Sequence, residues 1–206
     1  MHSLEMLFQN LEEQGWAVTD DLLPEGLHHA LYQQGQEYWL AGQFHDARIG
    51  RQLSDQRNAP VRGDSICWLE DDAPEPAVQA FLTWADILRR RLNRHFFLGL
   101  NRAEFHFARY EPGRGYKKHI DQHEGQDSRR ISLAVYLNPQ WEDADGGQLC
   151  LYGPAQDGNG VTRILPSAGR VVLFRSEHVP HEVLPCNRNR WSVTGWFRAD
   201  SYPLGL

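Results

Sequence analysis

Beyond residue 100 the hydrophobic period of this chain drops from 3.6 to 2 and stays there, committing the second half to strands whose alternate residues face opposite ways. Eight short runs carry that period: 104–110, 117–121, 130–138, 148–152, 162–165, 170–174, 181–185 and 191–198. Turn signals separate them, namely Pro139, Gly146-Gly147, Asp157-Gly-Asn-Gly160, Gly169 and the 187–189 segment. Eight short antiparallel strands behind a helical first half predict an α+β chain: a double-stranded β-helix, or jelly roll, braced by N-terminal helices.

In the first half, Leu4, Leu7, Phe8 and Leu11 recur at helical spacing, predicting a helix over 3–14 with Ser3 as its cap and Gly15 as its stop. A short strand over 16–19 follows. A second helix is expected over about 24–39, capped by Asp20 or Asp21 and interrupted in its pattern by Gly26 and Gly35. From 42 to 63 the chain is polar and aperiodic, and the stretch 50–64 is too long for a mere connector, which suggests a lid or binding finger. Residues 65–69 return to strand character. Pro74 and Pro76 open the clearest helix, whose Ala77, Phe81, Trp84, Ala85, Leu88, Leu92 and Phe96 form one apolar stripe. Its Arg89-Arg90-Arg91 run reads as a solvated face near the helix C-terminus. Residues 1–100 are thus read as a support region that includes the finger at 50–64, and 101–199 as the jelly-roll core of the same domain.

A length of 206 residues suits one domain with a substantial core. The net charge of −6 gives no electrostatic reason to expect nucleic acid or an anionic membrane as partner. Three cysteines, without close spacing, argue against a disulfide framework or a zinc knuckle and for a reducing compartment. The first residues lack a basic flank followed by an apolar run, and no apolar stretch approaches membrane-spanning length. A cytoplasmic monomer is expected.

Chemistry enters with His119 and Asp121, which share a face of an extended run just after the Glu111-Pro-Gly-Arg-Gly115 turn. Roughly one such pair arises by chance in a chain of this composition, so the pair needs company. Two His and one carboxylate on one face of an iron ion leave three positions for cosubstrate and dioxygen. His178 and His181 are the candidates for the second His. His181 opens a strand-like run, whereas His178 sits before Pro180 in a turn, and the expectation falls on His181. Nine residues later Arg190 heads a strand whose period aligns it with Ser192, Thr194 and Trp196. A guanidinium fork there can grip a carboxylate bidentately, as Lys cannot.

These residues, together with Val61-Arg-Gly-Asp-Ser-Ile-Cys-Trp68, Tyr110-Glu-Pro-Gly, Gly115-Tyr-Lys-Lys-His-Ile-Asp121, Val135-Tyr-Leu-Asn-Pro-Gln-Trp141, Gly146-Gly-Gln-Leu149, Pro180-His-Glu-Val-Leu-Pro185 and Arg190-Trp-Ser-Val-Thr-Gly-Trp196, carry a family resemblance. The chain resembles the 2-oxoglutarate- and Fe(II)-dependent dioxygenases, and within them the oxygen-sensing prolyl 4-hydroxylases that modify hypoxia-inducible factor and their bacterial relatives. The resemblance implies that His119, Asp121 and His181 hold Fe(II), and that Arg190 and Tyr136 take the distal carboxylate of 2-oxoglutarate. It places Tyr110 near the chelating end, with Thr194, Leu149 and Val183 lining the pocket. Asp64, Trp68, Arg129 and Trp196 match positions that contact the target peptide, and the 50–63 loop matches a mobile finger. On spacing alone Trp68 and Trp196 serve equally well as core, and Arg129 could exchange with Arg130.

The resemblance further implies hydroxylation at C4 of a prolyl residue in a protein, with dioxygen consumed, succinate and carbon dioxide released, and ascorbate in support. Elongation factor Tu is the target suggested by the bacterial relatives. Ala134 stands where the animal enzymes carry a larger aliphatic residue, which predicts a roomier cosubstrate pocket. Two alternatives stay open: a dioxygenase of the same fold acting on a free amino acid or alkylated nucleic acid, and a non-catalytic metal-binding jelly roll.

Overall fold

A computed structural model of the chain describes residues 2–47, 61–122, 128–153 and 160–200. Helix α1 (His2–Glu13) leads into β1 (Trp16–Thr19), then α2 (Leu27–Leu40), β2 (His45–Asp46), β3 (Asp64–Trp68) and α3 (Pro76–Phe96). Eight strands follow: β4 (Arg102–Tyr110), β5 (Tyr116–His119), β6 (Arg129–Tyr136), β7 (Leu149–Tyr152), β8 (Val161–Ile164), β9 (Val171–Arg175), β10 (His181–Val183) and β11 (Arg190–Arg198). They divide four and four. One sheet runs β5-β10-β7-β8, and the other holds β9-β6-β11-β4, extended by β1 on one side and β3-β2 on the other to seven strands. Every strand pairing is antiparallel, so the jelly roll expected from the period-2 pattern is the architecture observed.

The large sheet buries both faces, and strand parity sorts its residues between two cores. On β11, Trp191, Val193 and Phe197 face the helices together with Phe105 and Phe107 of β4, Ile131, Leu133 and Val135 of β6, and Val171 and Leu173 of β9. Helix α3 seats Val78, Phe81, Ala85, Leu88 and Leu92 on that face, with Phe81 edge-on to Phe105. Helix α2 adds Leu27, Leu31 and Tyr38, the last edge-on to Phe107. The opposite face carries Ala108, Tyr110, Ala134, Tyr136, Val172 and Phe174 and packs on Leu149, Leu151 and Val183 of the small sheet. Burial of aromatic side chains at roughly 25 cal/mol per Å² makes the helix-facing core the main source of stability. The other face is where polar residues collect.

Local details depart from the sequence expectations. Helix α1 already includes His2, so Ser3 falls inside its first turn instead of preceding it. Neither Asp20 nor Asp21 caps α2: the cap is Gly26, in the left-handed region at φ 74, and the helix begins three residues after Pro24. Asp20 instead receives both Arg170 Nε and Arg170 Nη2, at 2.8 and 2.9 Å, tying the chain before α2 to the residue ahead of β9. Inside the stretch expected to be loop, His45 and Asp46 pair with Ile66 and Ser65 as a short edge strand. Most of the finger expected at 50–64 lies outside the described residues. Its last residue, Asp64, is the first of β3.

Gly195 shows how tightly β11 is held. A Cβ there would collide with the Glu104 carbonyl oxygen and lie 2.7 Å from Phe105 Cα, both backbone atoms of the neighbouring strand. Gly195→Ala should therefore force β11 from β4 and destabilise the protein by about 3 kcal/mol, the upper end of overpacking costs. Equilibrium urea unfolding monitored by tryptophan fluorescence reads this as a lower midpoint at unchanged slope.

Candidate active site

The small sheet and the inner face of the large sheet bring three ligand atoms together. Strand β10 pairs His181 with His119 of β5, setting the two imidazoles side by side with ring centroids 4.2 Å apart. Asp121 follows two residues after His119, and its Oδ1 lies 3.5 Å from His119 Nε2 and 3.6 Å from His181 Nε2. The three residues present ligand atoms within 4.8 Å of one another and could hold a metal ion. His178, the other candidate, is exposed and lies 2.9 Å from Glu177.

Supporting contacts fix which atoms point inward. His119 Nδ1 lies 2.8 Å from the Lys117 carbonyl oxygen and His181 Nδ1 lies 3.0 Å from that of Val179. A carbonyl can only accept, so each Nδ1 carries a proton and each Nε2 faces Asp121, as an N–H on a charged ring and as a lone pair free for a metal on a neutral one. Tyr116 stacks on His119 at 3.6 Å, and Phe174 lies 4.5 Å from His181. Burial lowers the pKa of His181, favouring the neutral ring that can ligate. For Asp121, burial opposes ionisation, but His181, His119 and the Ser132 hydroxyl outweigh it and hold the carboxyl well below the usual range. Ser132 Oγ donates to Asp121 Oδ2 at 2.6 Å and lies 2.9 Å from Ser176 Oγ.

The inner face of the large sheet also carries a buried cation. Arg190 is 2% exposed, donates from Nε to the Gly147 carbonyl oxygen at 2.8 Å, and pairs with no carboxylate among the described residues. Gly147 sits at φ 68, and a Cβ there would come within 3.0 Å of both Arg190 Cδ and Cys186 Cβ, which explains the glycine. The guanidinium lies 4.9 Å from the Tyr136 ring centre and 5.3 Å from that of Tyr110. The Tyr136 hydroxyl is buried without a hydrogen-bond partner among the described residues. Burial raises the pKa of both phenols, so each keeps its proton and Tyr136 can donate. A buried guanidinium beside an unpartnered phenol fits a carboxylate, and two imidazoles with one carboxylate fit Fe(II).

The chain matches the 2OG-Fe(II) oxygenase superfamily over residues 105–198, from β4 to the end of β11. It is 36% identical to a Pseudomonas putida prolyl-4-hydroxylase of known structure, with 96% of this chain and 100% of that one covered and a TM-score of 0.85. This chain belongs to the 2-oxoglutarate- and Fe(II)-dependent oxygenases. Within that superfamily it is prolyl-hydroxylase-like. A second solved structure, a prolyl hydroxylase in complex with a hypoxia-inducible factor peptide fragment from Trichoplax adhaerens, is 30% identical over 96% of this chain and 90% of its own, with a TM-score of 0.83. Human Egl nine homolog 1 is 29% identical over 95% of this oxygenase. The chain spans 46% to 58% of the length of the mammalian relatives of that name. The family takes its name from 2-oxoglutarate and Fe(II), and His119, Asp121 and His181 form a possible iron site.

The other expected residues sit as follows. Thr194 faces the site side of β11, its hydroxyl donating to the Leu133 carbonyl oxygen at 2.9 Å, while Leu149 and Val183 pair across the small sheet. Asp64 is buried and both its oxygens are taken by Arg62, at 2.8 and 3.1 Å, so its route to a substrate runs through that guanidinium. Arg62 in turn lies over Tyr116, 5.1 Å from its ring centre, linking Asp64 to the ring stacked on His119. Arg129 lies 3.4 Å from the Trp196 ring centre and pairs with Glu104, whereas Arg130 pairs with Glu177. Trp196 is buried and Trp68 is 38% exposed.

Ser132, Ser176 and Arg62 were not among the expected site residues. Ser132 could have been found by its strand parity with Ala134 and Tyr136; Ser176 and Arg62 lie just outside the regular runs and carry no periodic signal. Because Ser132 orients the carboxylate ligand, Ser132→Ala should weaken Fe(II) binding about 10- to 100-fold with the fold intact, as loss of outer partners does elsewhere. Anaerobic Fe(II) titration beside a thermal melt measures both.

Proposed function

We propose that this oxygenase hydroxylates C4 of a prolyl residue in a protein substrate, with His119, Asp121 and His181 holding Fe(II). The single observation that carries the reading is the buried Arg190–Tyr136 pair on the inner face of the large sheet, a carboxylate anchor facing the small sheet that carries the two His ligands. The likeness over its full length to a prolyl-4-hydroxylase supports the choice of prolyl C4. Bound Fe(II) supplies the dioxygen chemistry that converts 2-oxoglutarate to succinate and carbon dioxide while the substrate carbon gains a hydroxyl.

The chain's own residues bind and orient. Arg190 and Tyr136 take the distal carboxylate of 2-oxoglutarate, and burial strengthens both contacts. Tyr110 closes the wall between Arg190 and Asp64, and Thr194, Leu149 and Val183 line the remainder. The ionised Asp121 is retained as a ligand, which favours hydroxylation over capture of a halide. On the substrate side, Trp68, Trp196 and Arg129 present aromatic and cationic faces to the peptide, with Asp64 positioning Arg62 at the entrance. Residues 1–100 brace this core. Elongation factor Tu is the first candidate target. The three cysteines are buried and unpaired, which supports work in the cytoplasm, with ascorbate keeping the iron reduced. Among the described residues no helix is long and apolar enough to cross a membrane.

Incubation with proline-containing peptides, including those of elongation factor Tu, should give a +16 Da shift on a prolyl residue and an equivalent of succinate. His119→Ala should abolish succinate release, and Arg190→Lys should raise the 2-oxoglutarate KM by about tenfold or more through loss of the bidentate fork. Succinate formation by the unaltered enzyme with no prolyl product would overturn the prolyl assignment.

A further inference from the structure

His106 stands in the middle of β4, opposite Trp68 of β3 and Thr194 of β11. Strand parity puts it on the same face as Ala108 and Tyr110, toward the site and away from the helices. It is 1% exposed, and neither Nδ1 nor Nε2 has a hydrogen-bond partner among the described residues. Two tryptophans flank it. Trp68 approaches edge-on at 4.8 Å between ring centres, and Trp196 lies tilted at 5.7 Å. Trp196 Nε1 is itself buried without a partner, and Arg129 covers the Trp196 ring.

Buried polar groups are nearly always paired, and each unpaired one is destabilising. An apolar side chain of similar volume would remove that cost here, so packing does not explain a histidine at this position. Burial pushes its pKa down to about 3, so the ring is uncharged at neutral pH and offers one N–H and one lone pair. With Trp196 Nε1, the wall presents two donors and one acceptor between aromatic faces. A charged substrate group would not suit this desolvated surface, whereas an uncharged amide both accepts and donates there. The pyrrolidine ring of proline suits the tryptophan faces. Trp68, the exposed member of the three rings, marks the route from solvent.

We propose that His106 is a specificity-determining residue that hydrogen-bonds a main-chain amide of the substrate peptide beside the target proline, within the aromatic wall of Trp68 and Trp196. This rests on the prolyl reading above. Binding energy gained there is remote from the reacting carbon and is shared by ground and transition states, so its loss appears in KM.

The test uses a library of blocked, proline-centred pentapeptides scored for the +16 Da product with the full chain and with His106→Leu and His106→Gln. The expected result for His106→Leu is an unchanged or higher Tm, about a tenfold rise in peptide KM and a kcat within about twofold of the unaltered enzyme, while His106→Gln regains most of the affinity. A peptide KM unchanged in His106→Leu overturns the assignment. So does a rise that comes with a lower Tm and no rescue by Gln, which marks a structural role. If the unaltered enzyme makes succinate but modifies no proline in the library, the prolyl reading falls and the His106 assignment falls with it; the first two outcomes leave that reading standing.

Discussion

The antiparallel register that locks β11 between β4 and β6 decides almost everything else in this molecule. Arg190 lies opposite Tyr110, Ser192 opposite Tyr136 and Ala108, and Thr194 opposite His106 and Ala134. A slip of one residue would turn Trp191, Val193 and Phe197 into the site and Arg190 into the helix-facing core, so the same pairing fixes both stability and chemistry. The helices enforce it, because α2 and α3 accept only the apolar set. The collision that any side chain at Gly195 would meet expresses the same constraint from the backbone side.

With the apolar residues drawn to one face, the other face concentrates polar groups away from water, where each interaction is strengthened and each unmet group is costly. One cluster bridges this face and the small sheet: Asp121 stays ionised because His119, His181 and Ser132 surround it, and both imidazoles are aimed by backbone carbonyls. Arg190 and Tyr136 form a second group, and His106 with Trp196 a third. The second and third groups lie on the inner face of the large sheet, and the first reaches that face from the small sheet through the Asp121–Ser132 hydrogen bond. The aromatic residues divide between packing the helices and lining this face.

The strands were legible because period 2 is a local property. The jelly roll followed because eight short runs with turns between them have few antiparallel solutions. His119, Asp121 and His181 were legible as a group because sequence spacing and strand run together placed them, and the structure brings them together. Helix starts were less so. Gly26 replaces Asp20 and Asp21 as the cap of α2 because Asp20 is engaged by Arg170, 150 residues away in sequence. The two-residue β2 is defined only by its partner β3 and has no pattern of its own. Ser132 and His106 escaped for another reason: a serine or histidine in a strand is ordinary, and only the company of Asp121 or of two tryptophans gives it meaning.

The central claim is that His119, Asp121, His181 and Arg190 form one site in which Fe(II) and 2-oxoglutarate bind together. Anaerobic titration of the full chain with Fe(II) and 2-oxoglutarate, followed by visible absorption, tests it most directly. The account predicts a saturable metal-to-ligand charge-transfer band at one equivalent of each, lost in His181→Ala and requiring more 2-oxoglutarate in Arg190→Lys. Absence of the band in the unaltered protein, or its persistence in His181→Ala, would contradict the account.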